Sequence, residues 1–103
     1  MTIYVDIDNT ICSTAGTDYE NSAPLTNRIE QINNLFDGGN IIVYWTARGS
    51  GSGKDWRDLT VRQLKAWGAK YHKLLFGKPV YDLFIDDKSV NSDSFFKNIF
   101  LNK

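Results

Sequence analysis

The chain has 103 residues, 42% hydrophobic and 14% aromatic, and its 12 lysines and arginines are balanced by 12 aspartates and glutamates. That is enough apolar material for one domain around one core, and the zero net charge disfavours nucleic acid as a nonspecific partner, which would need uncompensated positive charge. One cysteine (Cys12) and one histidine (His72) leave no disulfide framework, cysteine zinc cluster or histidine-rich site; no apolar run approaches the ~20 residues of a membrane span, and the opening MTIYVDID lacks a signal-peptide pattern, so a cytoplasmic protein is expected.

Residues 2–7, TIYVDI, read as a first strand, rich in β-branched and aromatic side chains. Residues 9–23 are polar and read as a long loop or small flap. Pro24 is expected to open a helix in its first turn; Ile29, Ile32 and Phe36 give that helix one apolar stripe, which Leu35 widens, and Gly38 and Gly39 stop it. Residues 41–45, IIVYW, form an unbroken apolar run suited to a parallel strand covered on both faces. The loop 47–55, ARGSGSGKD, leads into a second helix that Asp55 is placed to cap, with Trp56, Leu59, Leu64 and Trp67 on its buried side and Gly68 at its end. Residues 70–75 are a weaker third strand, Gly77, Lys78 and Pro79 a turn, and 80–85, VYDLFI, a fourth strand ending in Asp86 and Asp87. Ser92 is expected to cap a last helix carrying Phe95, Phe96, Ile99 and Phe100. The predicted class is α/β: residues 1–103 as one domain on a small open, mostly parallel, Rossmann-like sheet of about four strands, order 4-1-2-3, with helices on both faces.

Open parallel sheets bind ligands beyond the carboxyl ends of their strands. Asp6, Asp8 and Thr10 follow the first strand there, Thr46 and Arg48 the second, and Asp86 and Asp87 the fourth, with Lys78 just before it. A single aspartate after a strand is usually a turn or cap residue, and Asp18, Asp37, Asp58, Asp82 and Asp93 are read so. Four acids meeting at one edge would repel one another unless a cation compensates, and a hard divalent ion with oxygen ligands, Mg2+, fits that set. The same parts describe a reaction. Asp6, on a rigid strand end, is placed as a covalent nucleophile. Asp8 is placed to protonate a leaving oxygen and later to activate water. Lys78 and Thr46 hold phosphoryl oxygens, with backbone amides near Asn9 and Ala47 as further donors.

The stretch YVDIDNT resembles the first motif of the haloacid dehalogenase-like phosphatase superfamily, an apolar strand followed by Asp-x-Asp-x-Thr. Thr46, Lys78 in FGKP, and Asp86 with Asp87 in LFIDDK resemble its second, third and fourth motifs, in order, across residues 3–88. The resemblance implies a phosphatase core. It implies Asp6 as aspartyl nucleophile and metal ligand, Asp8 as general acid/base with its carbonyl on the metal, and Asp86 and Asp87 on the metal side, one of them in direct contact. Lys78 is preferred over Lys88 for the third motif, and Thr10 is read as bracing the loop. Loops 9–23 and 47–55 leave no room for the cap domain that many relatives carry, so the site is expected to be open unless another subunit covers it. YWTARGSGSGKDW and WGAKYHKLLFGKPVYDLFIDDK are similar to a small branch of phosphatases associated with polysaccharide or capsule biosynthesis, which implies a phosphorylated sugar or similar small metabolite.

Asn9, Ala47 and Arg48 are the expected substrate-binding residues, with Arg48 gripping a second anionic group; the plainer reading of Arg48 is a surface link to Asp55 or Asp58. Trp56 and Tyr19 are read as mouth, core or surface, His72 as structural or exposed, and Cys12 as a small hydrophobe at the flap base. Two other functions stand beside the leading one. A nucleotide phosphatase or polynucleotide 3'-phosphatase is suggested by an arginine shortly after Thr46 and by the basic strip Arg48, Lys54 and Arg57. A non-catalytic module binding phosphate and magnesium is the other, against which the placing of both Asp6 and Asp8 on the first strand end speaks. Phe96 and Phe100 are read as core, with a homodimer face as the alternative.

Overall fold

A computed structural model of the chain describes residues 1–97. In chain order the elements are β1 (Thr2–Val5), β2 (Cys12–Ser13), a single 3-10 turn (Tyr19–Asn21), β3 (Ala23–Pro24), α1 (Thr26–Asp37), β4 (Ile41–Trp45), α2 (Arg57–Ala66), β5 (Lys73–Leu75) and α3 (Ser92–Lys97). β1, β4 and β5 form a parallel sheet in that order, with Val5 beside Tyr44 and Tyr44 beside Leu74. β2 and β3 form a two-stranded antiparallel ribbon at the base of the flap. Each parallel step is bridged by a helix, α1 and then α2, as parallel strands require.

Alternation along the strands turns one sheet face inward. Ile3, Val5, Ile42, Tyr44 and Leu74 on that face pack with Ile29 and Ile32 of α1, Leu64 of α2 and Phe96 of α3. The core continues past the end of β1 through Ile7, Ile11 and Cys12, all fully buried. This extension positions the acids. Ile7 is driven inward, so Asp6 and Asp8 on either side of it turn the other way.

The expected class holds in outline: a small compact α/β domain with a parallel core sheet flanked by helices. Three local readings are corrected. Pro24 does not open the first helix; it pairs with Cys12 in the ribbon, and α1 starts two residues later. Leu25 N–H donates to the Ile11 carbonyl, so the chain is still tied to the flap at that point. Ser92 does not cap the last helix; the Asn91 side chain accepts from the Asp93 N–H at 2.9 Å and does that work. Residues 80–85 form no strand, and Val80, Leu83 and Ile85 are 74, 75 and 88% exposed. β1 therefore keeps an unpaired edge among the described residues, and the fourth place in the order 4-1-2-3 is not filled. Their apolar pattern suits a strand, but a strand also needs a neighbour's backbone, and here none is engaged. Phe96 is core, as expected, while Ile99 and Phe100 lie outside the described residues. No described helix is long and apolar enough to cross a membrane.

Candidate active site

Two polar clusters sit past the carboxyl end of β1. The first surrounds Asp6. Beyond β4 and β5 the backbones stay in register: Thr46 N–H donates to the Leu75 carbonyl at 3.0 Å, and Lys78 N–H donates to the Thr46 carbonyl at 3.1 Å. This continuation carries Lys78 to the first strand's end, where its ammonium donates to Asp6 Oδ1 at 3.1 Å. Thr10 donates its hydroxyl to Asp6 Oδ2 at 2.9 Å. Thr10 thus braces the carboxylate itself. Burial alone would lower the Lys78 pKa, but the charge of Asp6, its hydrogen bond and the Tyr81 hydroxyl together outweigh it, and the pKa is raised. The ammonium also lies over the rings of Trp45 and Tyr81.

The second cluster surrounds Asp8, and its centre is Arg48. The Arg48 side chain is 0% exposed. Its Nε donates to Asp8 Oδ2 at 3.0 Å and Nη2 to Asp8 Oδ1 at 2.9 Å, a bidentate pair. Nη1 donates to Thr60 Oγ1 at 3.0 Å and to Gln63 Oε1 at 2.6 Å, both from α2, and Nη2 reaches Ser22 Oγ at 3.4 Å. Every N–H of the guanidinium therefore has an acceptor. Its Cζ lies 4.8 Å from the centre of the Tyr19 ring, which meets Trp56 edge to face. Thr14 donates to Asp8 Oδ1 at 2.7 Å and is itself in contact with Ser22. Gln63 Nε2 closes the circle by donating to the Tyr19 carbonyl at 2.6 Å.

Arg48 is accordingly not a surface residue linked to Asp55 or Asp58, and its guanidinium is not free for a second anion. Loop geometry turns it inward. Gly49 sits at φ +82°, and a Cβ there would run into the Lys54 carbonyl, so the chain folds back tightly just after Arg48. Asp55 instead accepts from the Arg57 N–H from one residue before the N-cap position, which Trp56 holds, so it steadies the entry to α2 without being its cap. Asn9 is in the left-handed region at φ +60°, which asparagine tolerates. Its N–H donates to the Cys12 carbonyl at 2.7 Å and its side chain accepts from Thr14 N–H, so Asn9 braces the flap and its amide is not available to a phosphoryl oxygen. Thr46 is buried, and its hydroxyl accepts from Arg48 N–H at 3.1 Å, leaving the hydroxyl proton for another partner. Ala47 follows it, half-buried. Cys12 is buried, and burial foremost raises its thiol pKa, which fits an inert packing residue. His72 is structural: Ile42 N–H donates to its Nδ1 and its ring stacks on Phe36.

Asp86 and Asp87 are exposed, and Asp86 holds only its own loop, accepting from Lys88 N–H at 3.0 Å. No three His, Cys, Asp or Glu side chains among the described residues come together as a metal cage. For a magnesium ion, Asp6 offers a carboxylate at 34% exposure that already accepts from Lys78 on Oδ1 and from Thr10 on Oδ2; the acids of the fourth motif are not assembled with it. Beside this region runs a cleft of about 210 Å³, lined among others by Gly77, Lys54, Trp56, Arg57 and Phe76. Lys54 lies over the Trp56 ring and Arg57 over Phe76.

Thr14, Ser22, Thr60 and Gln63 are the site residues that sequence reading missed. The one available signal was the pair Thr60 and Gln63, one helical turn apart and lying between the apolar positions of α2.

No family model matches the chain, and no curated protein matches it. Among solved structures it is similar to the crystal structure of a structural-genomics target from Vibrio cholerae, at 28% identity and a TM-score of 0.82, over 92% of this chain and 86% of that one.

Proposed function

We propose that the chain is a magnesium-dependent phosphomonoesterase of the haloacid dehalogenase-like type, working through an aspartyl-phosphate on Asp6. The observation that carries this reading is the Asp6–Lys78 pair at 3.1 Å, set at the end of the first parallel strand with Lys78 bonded to the backbone of Thr46. A carboxylate oxygen of Asp6 attacks phosphorus while the bond to the leaving oxygen breaks. Asp8 gives that oxygen its proton, then takes one from the water that hydrolyses the acyl phosphate and releases inorganic phosphate. Lys78 and the Thr46 hydroxyl stabilise the charge on the phosphoryl oxygens. Magnesium would be held by Asp6 and the Asp8 carbonyl, joined by Asp86 or Asp87, and would offset the repulsion between Asp6 and the phosphate. The reading includes residues 80–85 lying along the free edge of β1, order 4-1-2-3, in the metal-loaded enzyme; the open edge and the exposed apolar side chains support it.

The substrate class is a small phosphorylated metabolite, a sugar phosphate first, met in the cytoplasm, where a lone free cysteine is at home. The cleft with two cations against two aromatic rings favours one alternative, a nucleotide or 3'-phosphorylated oligonucleotide.

Hydrolysis of p-nitrophenyl phosphate with Mg2+ and with a chelator tests the activity, and equal turnover in both defeats the reading. Asp6→Asn is expected to lower kcat by about 10⁴-fold or more while the fold survives. Acid-quenched enzyme should carry one phosphoryl group on Asp6. Parallel assays of sugar phosphates and a short 3'-phosphorylated oligonucleotide separate the two substrate classes.

A further inference from the structure

Arg48 is an expensive residue to place where it is. A guanidinium with no exposed surface is stable only if its charge and every donor are matched, and here Asp8, Thr60, Gln63 and Ser22 do the matching. The pattern is directional. Thr60 and Gln63 come from one face of α2, and Thr60 is itself anchored by donating to the Trp56 carbonyl at 2.8 Å. The helix thus fixes Nη1, and the opposite fork, Nε and Nη2, fixes both oxygens of Asp8. The oxygens are not equivalent. Oδ1 accepts from Arg48, from Thr14 and from the Cys12 thiol, whereas Oδ2, among the described residues, accepts from Arg48 alone. One lone pair of Oδ2 is left over, and the Asp8 side chain is 20% exposed.

We infer that Arg48 is the positioning residue of Asp8: it contacts no substrate, and it holds the carboxylate in the one orientation that leaves Oδ2 free to exchange a proton with the leaving oxygen. This rests on the proposed reaction, and it replaces the expectation that Arg48 grips a second anion. The consequence is specific. In the step that forms the phosphoenzyme, a group that acts through the general acid matters where the leaving oxygen needs a proton and matters little where it does not, whereas the later hydrolysis of the acyl phosphate is common to both substrates.

The test compares p-nitrophenyl phosphate, whose leaving group departs unprotonated, with an alkyl phosphate, whose leaving group does not. With Mg2+ present, Arg48→Ala is expected to lower the single-turnover rate of phosphoenzyme formation from the alkyl ester by about 100-fold and from the nitrophenyl ester by less than about 10-fold. The substrate concentration giving half the maximal rate of that step stays within about 3-fold on both, because no substrate contact is lost. Asp8→Asn should show the same split, and the double variant should be no slower than Asp8→Asn alone. Equal losses of that rate on the two esters, or weaker substrate binding in that step with its rate retained, overturn the inference while leaving the phosphatase reading standing. Wild-type enzyme that hydrolyses neither ester overturns both. Should Arg48→Ala fail to fold, Arg48→Lys and Gln63→Leu decide, since each loosens the clamp without emptying it: a smaller loss confined to the alkyl ester supports the inference, and a uniform loss sinks it.

Discussion

Two acid pairs that look alike in the sequence are treated in opposite ways by the fold. Asp6 and Asp8 follow a strand that is paired with β4 and packed on the core through Ile3 and Val5, and each of their carboxylate oxygens has a named donor. Asp86 and Asp87 end a run just as apolar, yet Val80, Leu83 and Ile85 before them are exposed and Asp86 holds little beyond its own turn. The difference is not composition. It is whether the preceding residues have a sheet edge and a core to enter. A carboxylate becomes a directed chemical group only when the backbone beneath it is already committed.

The sharpest way to break that comparison is to remove one charge from each pair. Asp8→Asn leaves the buried Arg48 guanidinium without its counter-ion and is expected to destabilise the fold by about 3–5 kcal/mol, whereas Asp86→Asn should stay within about 0.5 kcal/mol. Urea denaturation of both variants measures it, and similar costs for the two would erase the distinction. Next come the apolar residues under each pair. Ile42→Ala, at a fully buried position, should cost about 2–5 kcal/mol, and Ile85→Ala in metal-free protein about 0.5 kcal/mol or less. Repeating Ile85→Ala with Mg2+ sharpens the point, because a segment that closes on β1 would then show a cost that it lacks without metal.

A smaller effect is expected inside the core. The Tyr44 hydroxyl is buried with no partner among the described residues, so Tyr44→Phe should be neutral or stabilising by about 1 kcal/mol. The smallest concerns pH. The Lys78 pKa is raised above its ordinary 10.5 in the folded state. Its contribution to stability is therefore fully present below 10.5 and is lost only as pH climbs through the higher folded value. Lys78→Met should flatten the alkaline limb of a stability-against-pH curve and leave its neutral region unchanged in shape.

The parts of the molecule that could be read in advance are those whose cause is local. Ile41–Trp45 is a strand because five consecutive apolar residues have nowhere else to go. The stripe of α1 announced Ile29 and Ile32 as core. Asp6 and Lys78 were legible as partners in the site because strand ends place them together. The larger misreadings turn on a partner distant in the chain. Pro24 looked like a helix start until Cys12 claimed it for the ribbon. Residues 80–85 have a strand's composition and no strand beside them. Arg48 looked exposed, as arginines usually are, because nothing within its own loop reveals that Asp8, forty positions earlier, and Gln63, fifteen later, converge on it. Long-range charge pairing leaves no periodic trace.

One guanidinium thus stitches together the turn after β1, the flap through Ser22 and Tyr19, and the second helix. On the proposed reaction, proton transfer at Asp8 would for that reason be a property of the finished tertiary structure. On heating, catalytic competence and native architecture should vanish in a single transition, and a fragment ending before Thr60 should have the first strand's aspartates yet no working acid.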